Sequence, residues 1–297
     1  MPELPEVEVV RAGLLPAVVG ARVVAVTVFD GRALTRFAGD AGAFASALSD
    51  RVITAAARRG KFLWLPLLRS DEALVAHLGM SGQLLLRSPG AARERHERIR
   101  LDIVHPAHGE LAVVFADQRT FGSLAVDRLV PTTDGSPGGW GTDAAALPSQ
   151  VAHIARDPLD PAFDEDAFRF VLQRSRSAIK RVLLNQTVVS GIGNIYADEA
   201  LWAARVHPET AASALSTRAA HRLLAEIRTV LDKALAEGGT SFDAQYVNVN
   251  GQAGYFAHSL NAYGRHGLPC PRCGRLIVRA SFMNRSSHYC PRCQRRR

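Results

Sequence analysis

Hydrophobic and polar residues alternate in short runs through the first part of the chain. These runs, separated by Gly, Pro and charged turns, predict β-strands at residues 22–29, 61–68, 74–77, 99–104 and 111–116. Before them, apolar residues recur at helical spacing and predict a helix over residues 2–15: Val7, Val10, Leu14 and Leu15. The pattern therefore indicates a β-rich domain over residues 21–130, preceded by one helix.

The pattern changes after a segment rich in turn-forming residues. Residues 131–150 carry the run PTTDGSPGGWGTD and are the best candidate for a linker. Residues 164–237 follow the helical period and predict a domain of about four helices, with Gly238-Gly239 as the C-terminal stop. Residues 240–262 contain Gly, Asn and aromatic residues without a clear period, which is typical of a functional or mobile loop.

The composition is that of an ordinary globular protein. The chain has 297 residues, 47% hydrophobic and 22% charged, which excludes a disordered chain, a collagen-like repeat and a coiled coil. Two or more domains are expected at this length. No apolar run is long enough to span a bilayer, the start MPELPEVEVV is acidic rather than basic, and four Cys are present. A reduced, cytoplasmic protein is therefore expected.

The formal net charge of +8 is concentrated at one end of the chain. Residues 264–297 contain nine Arg and no Lys, Asp or Glu, whereas the preceding residues are nearly balanced. Such a block favours a polyanionic partner, nucleic acid first and an acidic membrane surface second, while a solubilising tail has the same composition. Three of the 36 basic residues are lysines, Lys61, Lys180 and Lys233, which makes each a candidate for chemistry that arginine does not supply.

Four cysteines lie within this basic block, as Cys270-x2-Cys273 and Cys290-x2-Cys293. Two such pairs are typical of a structural zinc site with four thiolate ligands. An iron–sulfur cluster uses the same ligands, and two disulfides are a further alternative that a reducing compartment disfavours. A zinc-bound hairpin between the pairs would depend on its metal and present its arginines, including Arg279 and Arg285, on a small rigid unit.

The first residues offer a candidate nucleophile. Removal of Met1 would leave Pro2 as a secondary amine beside Glu3 and Glu6. An α-amino group titrates near ~8, so an unprotonated fraction at neutral pH can attack an electrophilic carbon and form a Schiff base. A neighbouring carboxyl can serve as acid or base. The structural alternative is that Pro-Glu is a favourable first turn of a helix.

A glycine-containing turn, VSGIGN at residues 189–194, precedes a predicted helix over residues 195–204. Two glycines before a helix allow backbone N–H groups to converge on an anion such as a DNA phosphate. Asn194 can cap that helix and donate to the phosphate. A plain helix–turn–helix corner has the same pattern.

Together these segments resemble the formamidopyrimidine-DNA glycosylase family of base-excision repair enzymes. The resemblance covers essentially the whole chain, and its motifs occur in order: MPELPEVE at 1–8, RRGKFLWL at 58–65, HLGMSG at 77–82, DQRTFG at 117–122, SAIK at 177–180, GIGNIYADEALW at 191–202, GYFAHSLNAYGRHGLPC at 254–270 and the four-cysteine unit. The start is similar to the formamidopyrimidine branch, whereas the endonuclease VIII branch begins MPEGPE.

The resemblance implies a glycosylase that removes oxidised purines (8-oxoguanine and formamidopyrimidines) and a lyase that cuts the abasic strand by β,δ-elimination. Pro2 would be the nucleophile that attacks C1′, Glu3 the acid that helps to open the sugar, and Glu6 a supporting carboxylate. Lys61 would contact the lesion or its phosphate from its strand and assist the elimination as a catalytic residue. Arg285 would grip the phosphates beside the flipped nucleotide and take part in δ-elimination.

The resemblance also implies DNA contacts. A base must leave the duplex to be reached, and the hole has to be filled; the matching residues are Met80, Arg119 and Phe121. Spacing alone favours ordinary core positions for Met80 and Phe121. Phosphate contacts, which bind without reading sequence, are implied for His77, His96, Arg176, Lys180 and Asn194.

The implied fold is a multidomain α+β protein bound to one structural Zn²⁺. Its expected parts are a catalytic β-sandwich with a flanking N-terminal helix at 1–130, a linker at 131–150, a helix-two-turn-helix DNA-binding domain at 151–262 and a zinc-finger β-hairpin at 263–297. The loop at 240–262 would cap the flipped base, with Thr240, Ser241 and Tyr246 as loose candidates. The expected protein is a monomer in the bacterial cytosol that binds double-stranded DNA with oxidised bases or abasic sites.

Two alternatives stay open at this point. An endonuclease VIII-like glycosylase would prefer oxidised pyrimidines. A non-catalytic, zinc-dependent protein would bind damaged DNA through the arginine-rich end without cutting it.

Overall fold

A computed structural model describes residues 2–240, 249 and 256–296 of the chain. The chain forms two compact units, the first comprising Met1–His153 with Gly238–Gly254 and the second Ile154–Glu237 with Tyr255–Arg297. The first unit thus takes up the start of the loop at 240–262, which the sequence analysis grouped with the helical domain. Ser241 and Tyr246 lie outside the described residues.

Helix α1, Leu4–Val18, opens the first unit and extends three residues beyond the predicted end. It begins with a capping box between Glu3 and Glu6 and a proline in the first turn, both favourable at a helix start. Its inward face contributes Val7, Val10 and Leu14 to the core of the unit. A second helix, α2 at Ala41–Leu48, begins where the Asp40 carboxylate accepts a hydrogen bond from the Ala43 N–H at 2.8 Å.

Nine strands follow within the described part of this unit. In chain order they are β1 Arg22–Val28, β2 Ala57–Arg59, β3 Phe62–Pro66, β4 Glu72–His77, β5 Gly82–Arg87, β6 Glu97–His105, β7 Gly109–Asp117, β8 Ser123–Pro131 and β9 Ala146–Pro148. They form two antiparallel sheets, with orders β1-β6-β7-β5 and β2-β3-β4-β8-β9. Apolar residues of both sheets share one core, among them Leu63, Leu65, Leu101 and Phe115. The predicted β-sandwich with a flanking helix is confirmed.

The segment at residues 131–150 contributes to this sandwich. Strand β9 pairs with β8, and Trp140 exchanges two backbone hydrogen bonds with Arg58, at 2.8 and 2.9 Å. A Cβ on Gly139 would lie 2.3 Å from the Arg58 carbonyl oxygen, so only glycine permits this approach. Part of the predicted linker is therefore fixed on the sheet by backbone pairing.

The second unit contains the helices α3 Glu165–Arg174, α4 Ile179–Leu183, α5 Asn194–Ala203 and α6 Thr217–Ala236. The predicted helical region is confirmed, and α6 ends just before Gly238 and Gly239, whose positive φ angles suit a helix stop. Strands β10, Val278–Phe282, and β11, Arg285–Tyr289, form an antiparallel hairpin between the cysteine pairs. Within the described residues, no helix is long and apolar enough to cross a membrane.

Candidate functional site

The first turn of α1 holds the predicted catalytic start. Pro2, Glu3 and Glu6 are all buried. One Glu6 oxygen accepts from the Glu3 N–H at 2.8 Å, and the other accepts from the backbone N–H and the hydroxyl of Thr240 at 2.7 and 2.9 Å. Glu6 thus joins the start of the chain to a residue 234 positions away. This arrangement suits Glu6 for the supporting role that the resemblance implied.

Lys61 lies in a tight turn rather than on a strand. Gly60 and Lys61 connect β2 to β3, and Gly60 has the positive φ of +55° that the first position of a type II′ turn requires. The buried Arg58 fixes this turn, because its guanidinium donates to the Glu8 carboxylate of α1 at 2.8 Å and to the Gly60 carbonyl at 3.2 Å. The predicted strand position of Lys61 is therefore corrected by one residue, while its side chain stays half-buried.

His77 ends β4 in a positively charged environment. Its ring packs against Phe62, with the ring centroids 4.7 Å apart. Burial, followed by the positive charges of Arg36 and Lys61, lowers the pKa of His77 to about 4. Since Nδ1 accepts from the Gly79 N–H at 3.3 Å, the neutral ring carries its proton on Nε2. Any phosphate contact made by His77 near neutral pH is thus a neutral hydrogen bond.

Two neighbouring loops carry the three predicted void-filling residues. Met80 follows β4, and Arg119 and Phe121 follow β7; the relative exposures of Met80 and Phe121 are 39% and 59%. The Arg119 guanidinium lies 5.2 Å from the centroid of the Phe121 ring. Large apolar side chains held at the surface are not core residues, so the alternative of a packing role for Met80 and Phe121 is removed.

His96 lies beside the same end of the sandwich. It occupies the turn before β6, and its carbonyl accepts from the Asp117 N–H at 2.9 Å. Its side chain is half-buried. A phosphate contact for His96 stays a prediction.

Lys180 has a different environment from the one predicted. Its ammonium is completely buried, lies 2.7 Å from the Asp198 carboxylate and donates to the Ser286 carbonyl and the Ser287 hydroxyl at 3.0 and 2.9 Å. Phe282 adds a cation–π contact at 5.3 Å. A buried ammonium with these partners does not reach a phosphate, so the predicted direct contact is corrected to a role within the second unit.

Asn194 also turns towards the hairpin. The N-cap of α5 is Gly193, and Asn194 is the first helical residue, so the predicted capping by Asn194 is wrong in register. Its side-chain amide donates to the Ser286 carbonyl at 3.0 Å. The Ser286 carbonyl therefore accepts hydrogen bonds from both Asn194 and Lys180. It lies next to the exposed Arg285 at the start of β11.

The hairpin tip faces the C-terminal part of α3 and α4 across a cavity of about 680 Å³. Its polar lining residues are Ser175, Ser177, Arg181, Asn185, Asn284 and Arg285. Arg176, another predicted phosphate contact, is exposed nearby in sequence. Hydroxyl, amide and guanidinium donors in one concave surface suit an anionic ligand such as a phosphate.

The four cysteines converge as expected of a metal site. The sulfur atoms of Cys270, Cys273, Cys290 and Cys293 all lie within 4.8 Å of one another. Four thiolates this close together repel one another, so a cation is needed to hold them. The Cys273 and Cys290 sulfurs are 3.5 Å apart, well beyond the ~2.05 Å of a disulfide. The donor set fits one tetrahedral Zn²⁺.

Comparison with known proteins agrees with these features. Three family models match in order: the formamidopyrimidine-DNA glycosylase N-terminal domain at residues 1–124, the formamidopyrimidine-DNA glycosylase H2TH domain at 154–245, and a zinc finger found in FPG and IleRS at 267–296. A formamidopyrimidine-DNA glycosylase of Leifsonia xyli is 66% identical over 296 residues, covering 99% of this chain and 100% of the relative. The chain belongs to the formamidopyrimidine-DNA glycosylase family.

Other members of the formamidopyrimidine-DNA glycosylase family extend the match. The Thermobifida fusca enzyme of that name is 57% identical, covering 100% of this chain and 98% of the relative. The Lactococcus lactis Fpg, solved in complex with DNA containing an abasic site, superposes with a TM-score of 0.81 at 30% identity, covering 99% and 100% of the two chains. The α+β architecture and the zinc finger are those of the family.

Several residues that shape the site lie within the quoted motifs but received no role from the sequence. Arg58 and Asp117 fix loops of the first unit. In the second unit Asp198 binds His288 of the hairpin, and Glu199 binds the segment that precedes the zinc finger. Glu199 accepts from the backbone N–H groups of residues 261–263, and burial raises its pKa. Spacing cannot identify them, because each acts through partners that folding brings together.

Proposed function

We propose that this chain is a base-excision repair DNA glycosylase that removes formamidopyrimidines and other oxidised purines from duplex DNA, and a lyase that then cuts the abasic strand. The observation that carries the proposal is the buried start of α1, where Glu6 braces the Pro2-Glu3 pair against Thr240. It supports a preformed reaction centre in a chain that is 66% identical to the formamidopyrimidine-DNA glycosylase of Leifsonia xyli. We also propose that the protein acts in the cytoplasm, since bacterial DNA lies there.

In the proposed reaction the Pro2 nitrogen attacks C1′ of the damaged nucleotide. The new N–C1′ bond replaces the bond to the base, the base leaves with a proton, and Glu3 protonates the ring oxygen as the sugar opens to an iminium. Loss of a C2′ proton then expels the 3′ phosphate (β-elimination), and a second elimination expels the 5′ phosphate. This scheme requires Pro2 to be the N-terminal residue of the mature chain.

The remaining residues bind the DNA in this proposal. Met80, Arg119 and Phe121 fill the space left by the extruded nucleotide, with the arginine able to hydrogen-bond the orphaned base. Lys61, on its tight turn, contacts the lesion or its phosphate, and Arg285 binds phosphate from the hairpin. Zn²⁺ would hold the hairpin through the four cysteines and would take no part in the reaction.

Single-turnover cleavage of matched duplexes tests this function. The expected order of rates is 8-oxoguanine or formamidopyrimidine opposite cytosine first, thymine glycol much slower, and undamaged DNA uncut. Faster cleavage of thymine glycol would favour the endonuclease VIII-like alternative. Binding without cleavage of any damaged duplex would favour the non-catalytic DNA-binding alternative.

A further inference from the structure

Asp117 is a completely buried carboxylate at the end of β7. One of its oxygens accepts from the Ser81 hydroxyl at 2.6 Å and from the Arg119 N–H at 3.1 Å. The other accepts from the Gly122 N–H at 2.7 Å. A single side chain therefore binds both the loop that carries Met80 and the loop that carries Arg119 and Phe121.

The two loops are also in direct backbone contact. A Cβ on Gly79 would lie 2.4 Å from the Gly122 nitrogen, and Gly79 has a φ of +61°, so glycine is required there on both grounds. Thr120, between the two exposed side chains, has a left-handed φ of +53° that costs a non-glycine residue energy. Such a conformation persists only where surrounding contacts enforce it, and the bonds of Asp117 to the residues on either side of Thr120 supply that enforcement.

The partners of this buried anion are neutral hydroxyl and amide groups. Burial of a carboxylate costs free energy that its hydrogen bonds must offset, so such a group is typical of a place where those bonds meet a structural need. Here the need is local, because the carboxylate fixes the loops at their base while the side chains they carry project into solvent.

We propose that Asp117 is the positioning residue for Met80, Arg119 and Phe121: it locks their two loops into one rigid wedge that replaces the extruded nucleotide. The inference rests on the proposed function, which makes these three the void-filling residues. Asp117 touches neither DNA nor the reacting atoms. It acts by preorganising groups that would otherwise have to be ordered at each binding event.

The test compares two substrates that differ in whether a void exists. Excision of 8-oxoguanine from a duplex needs the wedge, whereas cleavage of an abasic site in single-stranded DNA needs only the reaction centre. Asp117→Asn replaces one accepting oxygen with an amide that cannot accept, so one loop loses its anchor. We expect duplex excision to fall about 10- to 100-fold, in line with loss of a buried charged hydrogen bond, and single-strand cleavage to change less than about threefold.

Asp127→Asn is the matched control. Asp127 also binds a serine hydroxyl and a backbone N–H, those of Ser149 and Gln150 at 2.8 Å each, and it lies in the middle of β8 with no hydrogen bond to the described residues of the two loops. It should leave both rates unchanged. If Asp117→Asn fails to fold, Ser81→Ala removes one donor and should lower duplex excision about three- to tenfold with the same selectivity.

The outcomes distinguish failure of the positioning role of Asp117 from failure of the proposed glycosylase function. An Asp117→Asn protein that slows both substrates equally, or neither, overturns the positioning role while the proposed function stands. A wild-type protein that cleaves neither substrate overturns the proposed function and this inference with it. A second readout is the preference for the base opposite the lesion, which should weaken in Asp117→Asn because Arg119 is no longer held.

Discussion

The ammonium of Lys180 lies 2.7 Å from the carboxylate of Asp198, and neither side chain is exposed to solvent. Asp198 also accepts from the His288 N–H of the hairpin at 2.8 Å, while Lys180 donates to the Ser286 carbonyl. The pair therefore joins α4 and α5 to strand β11. Of the three lysines, this one serves to hold the hairpin that carries Arg285.

Replacement of Lys180 by a neutral residue should strongly destabilise the protein. Lys180→Met leaves the Asp198 carboxylate buried without its counter-charge, which should lower the free energy of unfolding by about 3–5 kcal/mol. Lys233→Met is the matched control: its ammonium lies 3.8 Å from Glu237 in a solvent-exposed pair, so the same substitution should cost less than about 1 kcal/mol. Urea unfolding, with hydrogen exchange of α5 to locate the effect in the second unit, checks both. Equal losses in the two variants would contradict the account.

His77 should make the stability of the protein depend on pH. Its native pKa of about 4 lies below the ordinary value of 6.5, so between these values the unfolded chain binds a proton that the native chain does not. The contribution of His77 to the free energy of unfolding is therefore fully present above pH 6.5. It falls by up to about 3 kcal/mol as the pH is lowered towards 4.

Unfolding experiments across this range test the His77 assignment. His77→Gln should flatten the dependence on pH, whereas His153→Gln, at an exposed position of the same unit, should preserve it. An unchanged pH profile in His77→Gln would show that the ring is not held neutral. DNA affinity should also gain nothing from His77 between pH 7 and pH 5.5.

Metal removal should act on DNA binding through the hairpin. The four cysteines hold the segment that presents Arg285, so chelation or Cys290→Ser should weaken DNA binding. The slope of log affinity against log salt concentration should become shallower by about 0.9 for each phosphate that the hairpin no longer neutralises. The sandwich should stay folded, as judged by hydrogen exchange of β6 and β7. Zinc should restore the chelated wild type but not Cys290→Ser, and unchanged affinity without metal would refute the coupling.

The amino-acid sequence predicts the parts of this molecule that depend on local pattern. The strands β1, β3, β4, β6 and β7, the helical region and the cysteine pairs all follow from periodicity or spacing. Helix α2 and strands β2, β5, β8 and β9 escape prediction. The three-residue strands β2 and β9 carry too little periodicity, whereas β5 and β8 span six and nine residues and are still not among the predicted strands. The motif resemblance supplied the candidate residues, and the structure then gave each of them an environment.

Contacts between distant residues are what the sequence does not predict. Nothing local marks Lys180 as buried and Lys61 as half-buried, since the difference lies in Asp198 and the hairpin. Glu6 and Thr240 are separated by 234 residues, and their hydrogen bonds follow only from the folded first unit. Asp117 reads as one residue of a loop motif until Ser81 and Gly122 are seen at its two oxygens.

The central claim, that Pro2 is the nucleophile, is tested most directly by borohydride trapping with peptide mapping. The protein is mixed with a duplex carrying 8-oxoguanine opposite cytosine, reduced, digested and analysed by mass spectrometry. The account predicts a covalent DNA adduct on an N-terminal peptide that begins at Pro2, with trapping greatly reduced in Pro2→Gly. An adduct on Lys61 or another lysine, equal trapping by Pro2→Gly, or retention of Met1 on the active protein would contradict it.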